Sequence, residues 1–223
     1  MIVSAFAPKP CLPSGLLCVS RTRPANLREN STRRGIACLT LMSIETSIIE
    51  TEGIYFITFT CSQWLSLFAI TNCYDAVYKW FDYLKGKNHF IKGYVIMPIH
   101  LHVLIEFAAS ARSVNTIVSN GKRFMAYEIV KRLQEQNQHE ILLKLQDAVI
   151  SSDKERGKKH QVFERSFDCK PVTSQHFFLE KLNYIHNNPC TGRWQLATSP
   201  TDYIHCSAKH YIAGEESKYI MDD

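Results

Sequence analysis

At 223 residues and 45% hydrophobic content the chain can bury one sizeable core, which excludes a wholly disordered or low-complexity protein. Its formal charge of +5 resides in residues 1–42, where Lys9, Arg21, Arg23, Arg28, Arg33 and Arg34 meet only Glu29, so global charge is no argument for a nucleic-acid partner. The chain has no run of about 18 uncharged apolar residues, and its eight cysteines form no C-x-x-C pair, which sets aside a spanning helix, structural zinc and a disulfide scaffold.

Residues 1–42 carry Pro8, Pro10, Pro13 and Pro24 and no sustained apolar period, so no folded domain is expected there. Three readings compete: an organellar transit peptide, a disordered tail, or a start assigned too far upstream. Met42 stands directly before the patterned sequence, which favours the last. Residues 43–223 are expected to form a single domain with a C-terminal tail, a cytoplasmic protein with reduced thiols.

The first element is "GIYFITFTCSQ" (53–63), aromatic and β-branched, which reads as a strand buried on most of both faces. A helix follows, capped by Thr71 or Asn72, with Val77, Trp80, Phe81 and Leu84 at helical spacing until "KGKN" (85–88) breaks it. "HFIKGYVIMP" (89–98) and "HLHVLIEF" (100–107) are two strands around Pro98. "SVNTIVSNGKRFMAYEIVKRLQEQ" (113–136) is a long amphipathic helix, and "QHEILLKLQDAVI" (138–150) a second piece of it. "SSDKERGKKHQ" (151–161) reads as a basic loop and "VFERSFDCKPV" (162–172) as an extended segment or strand. The last clear helix is "SQHFFLEKLNYIHNN" (174–188), capped by Thr173 or Ser174 and stopped by Pro189. This order predicts an α+β sandwich, an antiparallel sheet with helices packed on one face.

Within the third strand, His100 and His102 lie two apart and share a face, while Ile99, Leu101, Val103 and Ile105 fill the other. Two imidazoles side by side make half of a metal site; an arbitrary H-x-H is more often a hydrogen-bonded or solvent-facing pair. A second constellation is "KLNYIHNNP" (181–189), where Tyr184 and Asn188, four apart, share a helix face. A phenol and a carboxamide there supply a nucleophile and a third metal ligand, or a buried tyrosine and a helix cap.

Together these features resemble the single-tyrosine HUH transposases of bacterial insertion sequences, named for histidine, hydrophobic residue, histidine. The likeness rests on His100-Leu101-His102 after Met97-Pro98, and on the Tyr-Ile-x-x-Asn-Pro helix end about 80 residues later; it covers residues 50–212. Beyond Pro189, Trp194, Tyr203 and Tyr211 look like the REP-associated tyrosine transposase branch. The resemblance implies a ferredoxin-like fold and Tyr184 as nucleophile on single-stranded DNA at hairpin or palindromic sites, through a 5′-phosphotyrosine. It implies a divalent metal, Mg²⁺ or Mn²⁺, on His100, His102 and Asn188. Many members use Gln where Asn188 stands, and the REP-associated type uses Asn. Dimers with a tyrosine donated in trans are common in the insertion-sequence branch, and the REP-associated branch looks monomeric, so monomer and homodimer both stay open. By the same likeness the protein is bacterial, and nucleoid-associated when it acts.

Phosphate contacts are expected from local patches: Lys122, Arg123, Lys131 and Arg132 on the long helix, and Lys154, Arg156, Lys158, Lys159 and Arg165 around the loop. Glu106 is a reserve ligand or a rim ion pair, and His186 a surface or DNA-contact residue. Trp194 and Tyr203 can stack bases or pack the tail. Two alternatives to the active transposase stand: a domesticated hairpin DNA- or RNA-binding protein without catalysis, and a metallohydrolase using the H-x-H pair on another substrate.

Overall fold

The computed structural model describes residues 52–110, 112–192 and 194–220; the extension expected over 1–42, and the domain boundary after it, lie outside the described residues. Strand β1 (Gly53–Thr60) opens the described chain, followed by the short helix α1 (Leu67–Ile70) and by α2 (Tyr74–Lys85). Thr71 does not cap α2 as expected: its hydroxyl donates to the Leu67 carbonyl at 2.6 Å and closes α1 instead, and the N-cap of α2 is Cys73. Strands β2 (Phe90–Ile96) and β3 (His100–Phe107) form a hairpin around Pro98. Helix α3 (Val114–Glu135) starts where the Ser113 side chain accepts from the Thr116 N–H.

Helix α4 (His139–Asp147) is the expected second piece. The expected basic loop instead begins with a helical turn, α5 (Ser151–Glu155). The extended segment 162–172 gives a single bridge from Phe163 to Cys61 and then a strand, β4, only at Asp168–Pro171. The reason is Lys122, whose ammonium donates to the carbonyls of Glu164 (2.9 Å) and Ser166 (3.5 Å) and takes both away from the sheet ladder. Helix α6 (Gln175–Asn187) is capped by Ser174, whose hydroxyl accepts from the Phe177 N–H at 3.2 Å. The chain then turns through a tight helical turn at Asn188–Cys190, and a last helix, α7 (Ala208–Ala213), follows.

Among the described residues the three pairings between strands are antiparallel, in the order β2-β3-β1-β4, the order of a ferredoxin-like sheet. Strand period then divides the side chains. Tyr55, Ile57, Phe59, Leu101, Val103, Ile105 and Phe107 enter the large core with α2 and α3. Phe56, Val95 and Leu104 project from the other face and are covered by Leu182 and Ile185 of α6. The expectation of helices on one face alone is therefore corrected: α2 and α3 share one face, and α6 crosses the opposite one. An apolar patch of Phe56, Val95 and Leu104 left in water would forgo burial worth on the order of 1.5–3 kcal/mol per side chain, so it recruits a helix. Gly93 permits the close approach, since a Cβ there would lie 2.6 Å from Leu182 Cδ1.

The free edge of β2 is covered by the tail. The Ile96 N–H donates to the His205 carbonyl, and the Ser207 N–H to the Tyr94 carbonyl, both at 2.9 Å. Cys61, Cys73, Cys169, Cys190 and Cys206 are free thiols, and among the described residues no helix is long and apolar enough to cross a membrane.

Candidate functional site

His100 and His102 sit on the α6 side of the sheet with their ring centroids 4.5 Å apart. They do not face open solvent: they are only 7% and 6% exposed, roofed by α6 and, beside His100, by Trp194 with ring centroids at 6.0 Å. Phe56 stacks on His102 from the neighbouring strand at 5.8 Å between centroids. Burial, with the neighbouring His100 as a smaller contribution, holds the His102 pKa well below the usual histidine range. Its imidazole is thus neutral at pH 7, the form that can act as a ligand.

The register of β1 against β3 puts Thr58 opposite His102, and the Thr58 hydroxyl meets His102 Nδ1 at 2.6 Å. A neutral ring that donates from Nδ1 to this oxygen presents the lone pair of Nε2 on its far side. That far side faces α6. Tyr184 Oη lies 3.4 Å from His102 Nε2, and Asn188 Oδ1 lies 3.3 Å from His100 Nε2. Tyr184 and Asn188 share the inward-turned face of the helix end, and Pro189, with no N–H to continue the helix, ends α6 there. Tyr184 remains 48% exposed while Asn188 is 9% exposed, so the phenol is reachable from solvent and the carboxamide is not.

Among the described residues no three His, Cys, Asp or Glu side chains are grouped for a metal ion. A third protein donor therefore has to be the Asn188 oxygen. Two imidazole nitrogens and one carboxamide oxygen at one helix end are a donor set that can hold a divalent cation with positions left open, so the residues present fit the group. Beside it stands a phenol with access to solvent. This arrangement can orient a phosphate against an oxygen nucleophile.

The structure brings His100, His102, Tyr184 and Asn188 together and removes other candidates. Glu106 pairs with Lys92 at 3.2 Å and is not a reserve ligand. His186 is not a surface residue: it is 4% exposed, its Nε2 meets the Ser207 hydroxyl at 3.0 Å, and burial lowers its pKa to about 4. Lys122 is spent on the carbonyls of Glu164 and Ser166, between the rings of Phe59 and Phe167, and burial lowers its pKa to about 8. Arg132 is spent as well. It holds Asp75 at 2.8 Å, Glu128 at 2.9 Å and the Asn72 carbonyl at 2.7 Å, and so clamps α2 to α3. Lys131 pairs with Glu135 at 3.8 Å, and Lys158 reaches Asp153 and Gln161. Arg123, Lys154, Arg156, Lys159 and Arg165 are exposed. Tyr203, a candidate for base stacking, instead packs the tail and donates to the Ile96 carbonyl at 2.9 Å.

Two contributors escaped sequence reasoning. Thr58 is one of several strand threonines, and nothing short of the β1–β3 register marks it. Lys181 lies one turn before Tyr184 with its ammonium 5.7 Å from the Phe56 ring centroid and 4.8 Å from that of Phe177. Its i−3 spacing from Tyr184 was a legible signal.

Fold and site together define a class: a ferredoxin-like α+β protein whose histidine pair lies beneath a tyrosine-bearing helix on the second face of the sheet. No family model matches the chain, and no curated protein is similar to it. Among solved structures it is similar to a REP-associated tyrosine transposase bound to a REP hairpin. That likeness has 16% identity and a TM-score of 0.51, and covers 82% of this chain and 93% of the other. It is also similar to a provisionally assigned transposase of Deinococcus radiodurans R1, at 13% identity over 61% of this chain and 90% of the other, with a TM-score of 0.38. The first likeness establishes the fold, an α+β architecture shared with a tyrosine transposase; the second adds nothing to it.

Proposed function

We propose that this protein is a transposase that cleaves and rejoins single-stranded DNA at hairpin-flanked sites, with Tyr184 as nucleophile. One observation carries the reading: Tyr184 Oη at 3.4 Å from His102 and Asn188 Oδ1 at 3.3 Å from His100, groups 82 and 88 residues apart in the chain. The fold shared with a transposase bound to a REP hairpin supports hairpin-forming DNA as the partner.

In the proposed step the phenol oxygen attacks the scissile phosphorus, the bond to the 3′ oxygen breaks, and the phenolic proton ends on that oxygen as a 3′-hydroxyl. The 5′-phosphotyrosyl ester retains the bond energy of the phosphodiester, so reversal onto a new 3′-hydroxyl needs no nucleotide cofactor. A divalent cation on His100, His102 and Asn188, Mn²⁺ in preference to Mg²⁺ because imidazole is a softer donor than water or carboxylate, would polarise a non-bridging phosphate oxygen. Trp194 and Phe56 wall the site, and Lys181, paired with Glu180 at 2.8 Å, stands at its rim. Tyr184 meets a histidine of its own chain, which supports a tyrosine acting in cis.

The test is covalent capture of a labelled single-stranded oligonucleotide carrying a hairpin, with Mn²⁺, on a denaturing gel. The wild-type chain forms a protein–DNA adduct; Tyr184→Phe forms none and still binds the oligonucleotide. An adduct that survives in Tyr184→Phe refutes the assignment of the nucleophile, and binding without any adduct in the wild type favours the non-catalytic hairpin-binding alternative.

A further inference from the structure

The side of α3 turned away from the core carries Arg123, Phe124, Tyr127 and Lys131, and both aromatic rings are 65% exposed. Alongside Tyr127 runs the segment 156–165, and helix and segment enclose a groove of about 730 Å³. It is built on the α3 layer, across the sheet from the histidines.

Its charge is one-sided. Arg156, Lys159 and Arg165 line it, are exposed, and make no hydrogen bond or ion pair among the described residues. Arg123 lines it too, with its guanidinium 5.4 Å from the Phe124 ring centroid. Lys122, Lys131 and Lys158 add positive charge even though they have partners within the protein. The acidic side chain among the lining residues is Glu164, and its Oε1 already accepts from the Gln63 N–H at 2.9 Å. A concave surface whose cations lack internal partners focuses the field on a polyanion.

We infer that this groove binds an unpaired nucleic-acid strand: Arg156, Lys159 and Arg165 contact successive phosphates, and Tyr127 stacks a base. The exposed ring selects the single strand, because a duplex hides its base faces within the stack. The inference rests on the proposed DNA-processing role for the identity of that strand, as the part of the substrate lying beyond the cleavage site. Topology connects the two places. The Glu164 N–H donates to the Thr60 carbonyl at 2.8 Å, and Thr60 stands opposite His100 in the β1–β3 ladder. One end of the groove therefore lies two strand spacings, roughly 10 Å, from the His100 backbone, and a strand leaving Tyr184 enters it past the Thr60 end of β1.

The experiment measures affinity of the full chain for fluorescent oligo-dT, and for a duplex of equal length, across a salt series. The wild type binds the single strand more tightly. Arg156→Ala/Lys159→Ala/Arg165→Ala flattens the slope of log K against log salt by about 2, roughly 0.7 for each phosphate that is no longer neutralised. Tyr127→Ala weakens binding roughly fivefold to a hundredfold with the slope unchanged. Thermal melts check folding, and Lys159→Glu alone gives the same direction if the triple variant is unstable. An unchanged slope, a preference for duplex, or wild-type affinity in Tyr127→Ala overturns the inference. Covalent capture by Tyr184 is scored separately: an adduct persisting in Tyr184→Phe sinks the proposed nucleophile and leaves the groove result standing.

Discussion

Thr58→Val is the most incisive perturbation of the site, because valine keeps the shape of threonine and removes only the hydroxyl. That hydroxyl is 2.6 Å from Nδ1 of a histidine 6% exposed to solvent, so no water is expected to replace it freely. A buried ring nitrogen left without a partner costs about 1–3 kcal/mol, and stability should fall by an amount in that range. The functional loss expected under the proposed metal site has a separate cause. Without an acceptor at Nδ1 the ring loses the tautomer and orientation that aim Nε2 at the α6 end, and removing such an outer hydrogen bond costs about 10–100-fold in metal affinity or activity. The assay is Mn²⁺ binding followed by electron paramagnetic resonance, with the rate of adduct formation measured at limiting and saturating Mn²⁺. Binding should weaken by that factor, the rate deficit should shrink at saturating Mn²⁺, and Thr58→Ser should restore most of both. A Thr58→Val protein with wild-type Mn²⁺ affinity and adduct rate would refute the idea that this hydrogen bond sets the ring, whatever its effect on folding.

Two further outcomes concern the fold. At Gly121 of α3 a Cβ would lie 2.5 to 2.9 Å from atoms of the Trp80 indole, a ring 6% exposed and unable to retreat. Gly121→Ala should therefore lower the melting temperature: overpacking at about 1–3 kcal/mol outweighs the ~1 kcal/mol gained in helix propensity, and a raised melting temperature would contradict this. His205 stacks on Tyr74 at 3.7 Å, meets the Tyr78 hydroxyl at 3.0 Å, and is held by burial at a pKa of about 4. The folded ring stays neutral while the unfolded one takes up a proton near pH 6.5, so its contribution is present above pH 6.5 and is lost as pH falls toward 4. Urea melts at pH 7, 6 and 5 should show His205→Phe with a shallower decline than wild type, by up to about 1.4 kcal/mol per pH unit; parallel curves would exclude the histidine as the cause.

Much of the architecture is legible because local signals agree with one another. Strand β3 begins at His100 and ends at Phe107 as its alternation indicates, and α3 and α6 start at the serines that cap them. The segment 162–172 was not legible as it stands, since its strand character is interrupted by Lys122, a residue 40 positions earlier whose ammonium takes the carbonyls of Glu164 and Ser166. Charge misleads for the same reason. Lys122 and Arg132 look like phosphate-binding residues when only their charge is considered, but each is held by protein acceptors that only packing brings near. Arg156, Lys159 and Arg165 look no different in sequence and have no such acceptors among the described residues.

The sequence by itself determined which residues could take part in chemistry: strand period pairs His100 with His102, and helix period pairs Tyr184 with Asn188. Both periods are properties of a few consecutive residues. Tertiary structure decided that the two pairs meet. The apolar patch of Phe56, Val95 and Leu104 draws α6 across the second face of the sheet, and Gly93 lets it come close. Sequence periodicity marks that patch as apolar but does not say which helix will cover it; the long-range burial that chooses α6 is what places the phenol over the histidines.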